Sequence, residues 1–166
     1  MSVFGSLIDQ TEVISILKDA VEASRMVDNK SQSMTNTWLF TGPPGSGRSN
    51  AAIAFAAALV CKDGGCSKCN DCMSTIIGTH ADVELIKTAG LSIKIDEVRE
   101  LISRASWAPS VANYRVVVME DADRLTESAA NALLKVIEEP GLRTIWLLCA
   151  PTLTDVLPTI RSRCRH

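Results

Sequence analysis

The chain has 166 residues, with 17 Lys and Arg against 19 Asp and Glu and a formal net charge of −2. A length of this order predicts one domain with room for a real core, and 46% hydrophobic with 22% charged residues is an ordinary globular composition. The slightly acidic balance argues against a stand-alone nucleic-acid binder, and 4% aromatic residues argue against a base-stacking platform. No run of ~18 apolar residues is present to span a membrane. Met1 to Gln10 lacks the basic-then-apolar pattern of a secretory signal, so a cytosolic, reducing compartment is expected.

Taken in chain order, Val13, Ile14, Ile16, Leu17, Ala20, Val21 and Ala23 recur at mostly three- and four-residue steps and predict an amphipathic helix over 11–28. Residues 29–36 are polar and predict a loop. Trp38-Leu39-Phe40 predicts a short strand running into Gly42-Pro43-Pro44-Gly45. Gly47 to Val60 is alanine-rich and apolar all round, the pattern of a buried helix. A cysteine cluster follows at 61–72. Asp82 to Ile86 predicts a second strand, and Ile95, Val98, Leu101, Ile102 and Ala105 predict a helix over 94–105. Arg115 to Met119 is continuously apolar after its first residue, as in a strand buried on both faces. Thr126 then precedes a helix to about Glu138, closed by Pro140-Gly141, and Thr144 to Ala150 predicts a further buried strand. Strands alternating with helices predict an α/β fold with a parallel sheet flanked by helices.

Gly42-Pro43-Pro44-Gly45-Ser46-Gly47-Arg48-Ser49 fits G-x-x-x-x-G-[K/R]-[ST] in the strand–loop–helix context that a phosphate-binding P-loop requires. Glycines let backbone N–H groups turn inward as an anion nest, the helix N-terminus adds partial positive charge, and Ser49 would offer a hydroxyl to Mg²⁺. Arg48 stands where lysine is usual. It keeps the charge but is planar and bulkier, so any ATP and Mg²⁺ binding is expected to be weak, with little hydrolysis. P-loop ATPases also place a metal-holding carboxylate and a water-polarising carboxylate at the end of a neighbouring strand. Here Val116 to Met119 ends in Glu120-Asp121, the reverse of the usual Asp-then-Glu order. The blander reading of Asp121, that it ends a strand and caps the next turn, stands beside the catalytic one.

Four of the six cysteines, Cys61, Cys66, Cys69 and Cys72, lie within one short segment. In a reducing compartment such spacing favours a metal over disulfides, and four thiolates suit a structural Zn²⁺ with no open coordination position. Gly64-Gly65 supplies the bend. Cys149, inside a predicted strand, reads as core packing.

Taken together these features resemble the clamp-loader AAA+ ATPases of bacteria over nearly the whole chain. Besides the P-loop and the inserted zinc knuckle, the resemblance rests on Gly78-Thr79-His80-Ala81-Asp82, Ile95-Asp96-Glu97-Val98-Arg99, Asn131-Ala132-Leu133-Leu134-Lys135 with Glu138-Glu139-Pro140, and the terminal Ser162-Arg163-Cys164. Within that family the altered positions at Arg48 and Glu120/Asp121 resemble the delta-prime type of DNA polymerase III subunit rather than the gamma/tau type, whose active ATPase is the alternative reading. The resemblance implies that Arg163 is an arginine finger pointing into the ATP site of a neighbouring gamma/tau subunit. It places Thr152 near the family's sensor position. It further implies gamma/tau and delta subunits as partners, and the sliding clamp and primer-template DNA through the assembled complex, in a bacterial cytoplasm. A sheet order of 5-1-4-3-2 is expected, with a fifth strand beginning just after Cys164. On that reading residues 1–166 are the nucleotide-binding core, and a helical lid and a collar domain lie beyond it.

Overall fold

The computed structural model describes residues 2–26, 36–139, 141 and 143–166. The loop expected over 29–36 lies outside these except for Asn36, as does Pro140. In chain order the main elements are α1 (Thr11–Arg25), β1 (Thr37–Thr41), α2 (Arg48–Val60), α3 (Asn70–Ile77), β2 (Val83–Ile86), α4 (Ile95–Ala105), β3 (Arg115–Met119), α5 (Glu127–Glu138), β4 (Thr144–Ala150) and α6 (Pro158–Arg161). The strands form one parallel sheet in the spatial order β1-β4-β3-β2. Arg165 adds an isolated parallel bridge to Trp38 on the outer side of β1, where its carbonyl accepts from Leu39 N–H at 2.8 Å. That is the position of the fifth strand in the expected order.

β3 and β4 are buried at every residue. Val116, Val118, Ile145 and Leu147 pack on the α1/α2 side, while Val117, Met119, Trp146 and Leu148 pack on the α4/α5 side. Alternate side chains thus enter two separate cores, which is why both strands read as unbroken apolar runs. α2 is buried almost throughout, and its alanines let it lie close to the sheet. Phe55 fills the remaining space edge-on to Trp38, ring centroids 5.0 Å apart. α5 starts as its sequence predicts, with Thr126 Oγ1 accepting from Ala129 N–H at 3.2 Å.

Two differences from the sequence reading have local causes. α1 ends at Arg25, because the backbone turns extended at Met26. α3 was not anticipated. It grows directly out of the cysteine cluster, with the Cys69 sulfur capping it by accepting from Cys72 N–H, and it ends at Gly78, whose φ of +81° suits glycine.

The segment Gly78 to Asp82 fastens this helix to the sheet. Asp82 N–H donates to His80 Nδ1 at 3.0 Å, so the ring proton sits on Nε2 and donates to Asp71 Oδ1 of α3 at 3.1 Å. The buried Asp82 carboxylate accepts from the amides of Ser110, Val111 and Ala112, each at 2.7 Å, and from the Ser110 hydroxyl at 2.9 Å. Burial pushes this carboxyl up, but the amides of Ala112, Ser110 and Val111 outweigh it and bring it down to about 2. A folded-state value below the unfolded ~3.9 means that the contribution is complete above pH ~4 and is lost as pH falls through the folded value. Asp82→Asn is expected to lower stability at neutral pH by about 2 kcal/mol. Denaturant melts at pH 5 and pH 2.5 check this: the wild type should lose more stability on acidification than Asp82→Asn, and parallel losses would refute the assignment.

Candidate functional site

The register aligns the carboxyl ends of the strands: Thr41 pairs with Ala150, and Met119 with Leu148. The segments that follow β1, β3 and β4 therefore emerge at one edge of the sheet. After β1, Gly42 N–H donates to the Ala150 carbonyl at 3.3 Å, and Ser46 N–H closes a turn on the Pro43 carbonyl at 3.0 Å. Gly45 and Gly47 have φ of +84° and +85°, in the left-handed region that side chains disfavour. Gly47 is the N-cap of α2 and accepts from Ala51 N–H at 2.8 Å. This is the P-loop shape expected from Gly42 to Ser49, with Pro44 within its turn.

Arg48 turns back on the loop: Nη1 donates to the Gly42 carbonyl oxygen. Its Nε and the Ser46 hydroxyl are buried without a hydrogen-bond partner among the described residues. Gln10, just before α1, donates from Nε2 to the Ser46 carbonyl at 2.9 Å. Beside the loop, between α1 and β1, lies a cavity of about 300 Å³ lined chiefly by Val13, Leu17, Trp38 and Phe40, with Ser46 and Arg48 on its polar rim.

After β3, Glu120 faces Lys87 Nζ at 3.7 Å and Asp121 faces Arg124 Nε at 3.9 Å. Asp121 is also the N-cap residue of the turn Ala122–Arg124. Cys149 of β4 lies between the loop and these acids and meets the Ser49 side chain. Burial, reinforced by the Glu120 charge, pushes its thiol up to about 12, so it stays neutral. After β4, Thr152 is exposed, and its hydroxyl and amide both meet Asp155 Oδ2, at 2.8 and 3.1 Å. The structure thus brings Arg48, Ser49, Glu120 and Asp121 around one edge. Thr152 follows the same edge and caps its own turn.

Arg163 lies elsewhere. Its Nε contacts Glu138 Oε1 at 2.7 Å, and Nη1 donates to the Thr159 carbonyl at 2.7 Å. Glu138 is the last residue of α5, which leaves the carboxyl edge after β3 and returns to the amino-terminal start of β4. Arg165 likewise bridges Trp38, near the start of β1. Arg163 is therefore at the opposite edge from the chain's own P-loop, separated by about a strand's length, roughly 15 Å.

The four clustered sulfurs all lie within 4.8 Å of one another. Cys61 is 3.8 Å from Cys66 and 3.6 Å from Cys69, close to the ~3.8 Å edge of a tetrahedron with metal–sulfur bonds of ~2.3 Å. Amides of Asp63, Cys69 and Cys72 donate to the sulfurs of Cys61, Cys66 and Cys69, each at 3.4 Å. Burial pushes Cys61 up, but the amides of Cys66, Gly65 and Asp63 overcome it and bring that thiol down to about 6. The bend is made at Gly64 and Gly65, with φ of +72° and +105°. At Gly65 a Cβ would stand 2.7 Å from the Val3 side chain. Four sulfurs at these separations, with amide donors already aimed at three of them, could hold a metal ion.

Sequence reasoning did not find Gln10 or Lys87, and it quoted Glu138 in the Glu138-Glu139-Pro140 segment without giving it a partner. Each acts on its partner through a contact across the fold, which no local motif announces.

Comparison with known proteins agrees with this geometry. The chain is 31% identical over 159 residues to the DNA polymerase III subunit delta' of Bacillus subtilis, covering 94% of this chain and 46% of that protein. It is 36% identical over 135 residues to the delta' subunit of Pseudomonas aeruginosa, covering 78% of this chain and 41% of that protein. It is also 32% identical over 168 residues to the subunit gamma/tau of Mycobacterium tuberculosis, covering 98% of this chain and 28% of that protein. The chain thus spans less than half the length of each of these relatives. Among solved structures, a gamma subunit-related protein of Thermotoga maritima superposes with a TM-score of 0.65 at 24% identity, over 92% of this chain and 44% of that one. The Thermotoga maritima RuvB Holliday junction branch migration motor superposes with a TM-score of 0.60 at 16% identity, over 94% of this chain and 43% of that one. Both likenesses establish the AAA+ P-loop fold. The family model described as DNA polymerase III, delta subunit, matches residues 11–166, and the chain belongs to that family.

Proposed function

We propose that this chain serves in a bacterial cytoplasm as a clamp-loader subunit of DNA polymerase III that hydrolyses little or no ATP itself. It donates Arg163 to the ATP site of a neighbouring gamma/tau subunit during loading of the sliding clamp onto primer-template DNA, with a delta subunit completing the assembly. The observation that carries the reading is the disposition of two cations. Arg48, at the position that should greet the nucleotide, is bonded to its own loop at Gly42, whereas Arg163 is part-exposed at the far edge, where it can serve only another chain's nucleotide. An arginine supplied in trans contributes ~10³–10⁵ in rate by stabilising charge on the transferring phosphoryl group.

The acids support the same reading. Glu120 and Asp121 each have a cation of the chain's own as neighbour, so a Mg²⁺ would compete with Lys87 and Arg124. Ser49 and the reversed acid pair are the residues that would hold Mg²⁺, and Thr152 would sense the γ-phosphate from the end of β4. The alternative, an active gamma/tau-like ATPase, has the support of gamma/tau relatives as similar as the delta' ones. Position 48 separates the two. The purified chain is expected to turn over ATP negligibly, and Arg48→Lys to tighten a fluorescent ATP analogue about tenfold in the presence of Mg²⁺, because lysine frees the nest and returns a compact charge. Robust turnover by the unaltered chain would sink the proposal. In the assembled complex Arg163→Ala is expected to lower ATPase activity on the order of 10³-fold.

Zinc is the ion we assign to Cys61, Cys66, Cys69 and Cys72, because four thiolates in a closed tetrahedron select it and leave no position for a substrate. Its role is structural, tying the end of α2 to α3. Elemental analysis after chelator-free purification should give one zinc per chain. Cys69→Ser should lose it and lower the melting temperature by several degrees, since the metal's binding energy contributes to folding. A protein equally stable with and without zinc would contradict the role.

A further inference from the structure

We infer that Glu138 is the positioning residue for Arg163, holding its guanidinium in the orientation from which a neighbouring subunit's phosphates are met. The inference rests on the reading of Arg163 as a finger donated in trans. The backbone at this point is already fixed. Arg163 N–H donates to the Ile160 carbonyl at 3.0 Å, and the Cys164 thiol donates to the same carbonyl at 3.1 Å. A fixed backbone still leaves a long arginine side chain free to rotate about four bonds.

Three contacts remove that freedom. Nε meets Glu138 Oε1 at 2.7 Å, while Nη1 meets the Thr159 carbonyl at 2.7 Å and the Ser162 hydroxyl at 3.3 Å. A guanidinium has five N–H groups in a rigid plane. With Nη1 hydrogen-bonded and Nε in close ionic contact with Glu138, the guanidinium is held on one side, and among the described residues Nη2 makes no hydrogen bond. Its two protons are the pair left for an oxygen ligand from outside the chain. Of the three contacts only Glu138 is charged, and only Glu138 comes from a different helix, so it relates the finger to α5.

The pair has little to do with stability. The Arg163 and Glu138 side chains are 41% and 47% exposed, and ion pairs that exposed contribute little to folding. What it supplies is order. An unrestrained arginine would lose its rotamer freedom on every docking into a neighbour's site, whereas this one has lost it beforehand. The carboxylate also fixes where the charge lies before the phosphoryl group moves, which is the condition for stabilising a transition state without rearrangement. The sequence contains both partners, in the Glu138-Glu139-Pro140 and Ser162-Arg163-Cys164 segments, without relating them. The fold puts them in contact.

The test uses the assembled complex and steady-state ATPase kinetics, with Arg163→Ala, Glu138→Ala, Glu138→Gln and the double variant Glu138→Ala/Arg163→Ala. Glu138→Ala is expected to lower kcat about tenfold with KM unchanged, and to leave the melting temperature of the chain and its assembly unaltered. Glu138→Gln keeps one acceptor oxygen and should recover part of the loss. Because Glu138 acts only through Arg163, the double variant should match Arg163→Ala. Wild-type kcat in both Glu138 variants, alongside an impaired Arg163→Ala, would overturn the inference, as would a double variant whose loss is the product of the two single losses. Full activity in Arg163→Ala would instead remove the reading beneath it, and the two failures are distinct.

Discussion

Burial of β3 and β4 on both faces governs the rest of this molecule. Here the buried strands are parallel neighbours, and each parallel pairing needs a crossover that returns the chain to the starting edge. Every β-to-α segment is then delivered to one edge and every α-to-β segment to the other. The P-loop, Glu120-Asp121 and Thr152 share the first edge for this reason. The same geometry sends the end of α5 to the opposite edge, and with it the contact between Glu138 and Arg163. The separation of a self-engaged phosphate loop from a part-exposed arginine is thus a consequence of sheet topology.

That topology was legible in the residues for a physical reason. Two-sided burial writes an unbroken apolar run, and Arg115 to Met119 and Thr144 to Ala150 were delimited to the residue. Thr126 marked the start of α5 because a cap's hydroxyl has a local task. α3 was illegible because its Met73, Ile76 and Ile77 are exposed rather than turned to a core, and because the cysteines around it obey ligand spacing instead of helical period. α6, at four residues, is too short for any period to register. The position of the P-loop was likewise readable, since glycine at 45 and 47 answers to backbone geometry alone. The turn of Arg48 onto Gly42 was not, because it is a choice among side-chain rotamers that only the finished fold makes.

The thiol cluster and the segment around Asp82 divide one task between them. Both grip the first turn of α3. The cysteines bind its start to the end of α2, and His80, three residues before β2, reaches back to Asp71 in its first turn. Asp82 in turn ties the start of β2 to the loop that precedes β3 through three amides. An insertion that leaves Met73, Ile76 and Ile77 exposed is held in register by polar and thiol contacts as well as by packing on α2, and the directions of such contacts are stricter than those of packing.

The loop between β1 and α2 has mechanical work of its own. Its turn sets the first residues of α2, the most deeply buried helix in the molecule. In a hydrolysing enzyme the bound phosphates help to hold such a loop. Here Gln10 clamps Ser46 from α1, and Arg48 clamps Gly42 from inside, so the loop keeps its shape from its own side chains. The planar guanidinium of Arg48 donates to the Gly42 carbonyl oxygen, so the cation is bonded to the loop that carries it. On the function we propose, loss of turnover and retention of the loop would follow from that one contact, and the cation left to act on a nucleotide is the arginine at the other edge.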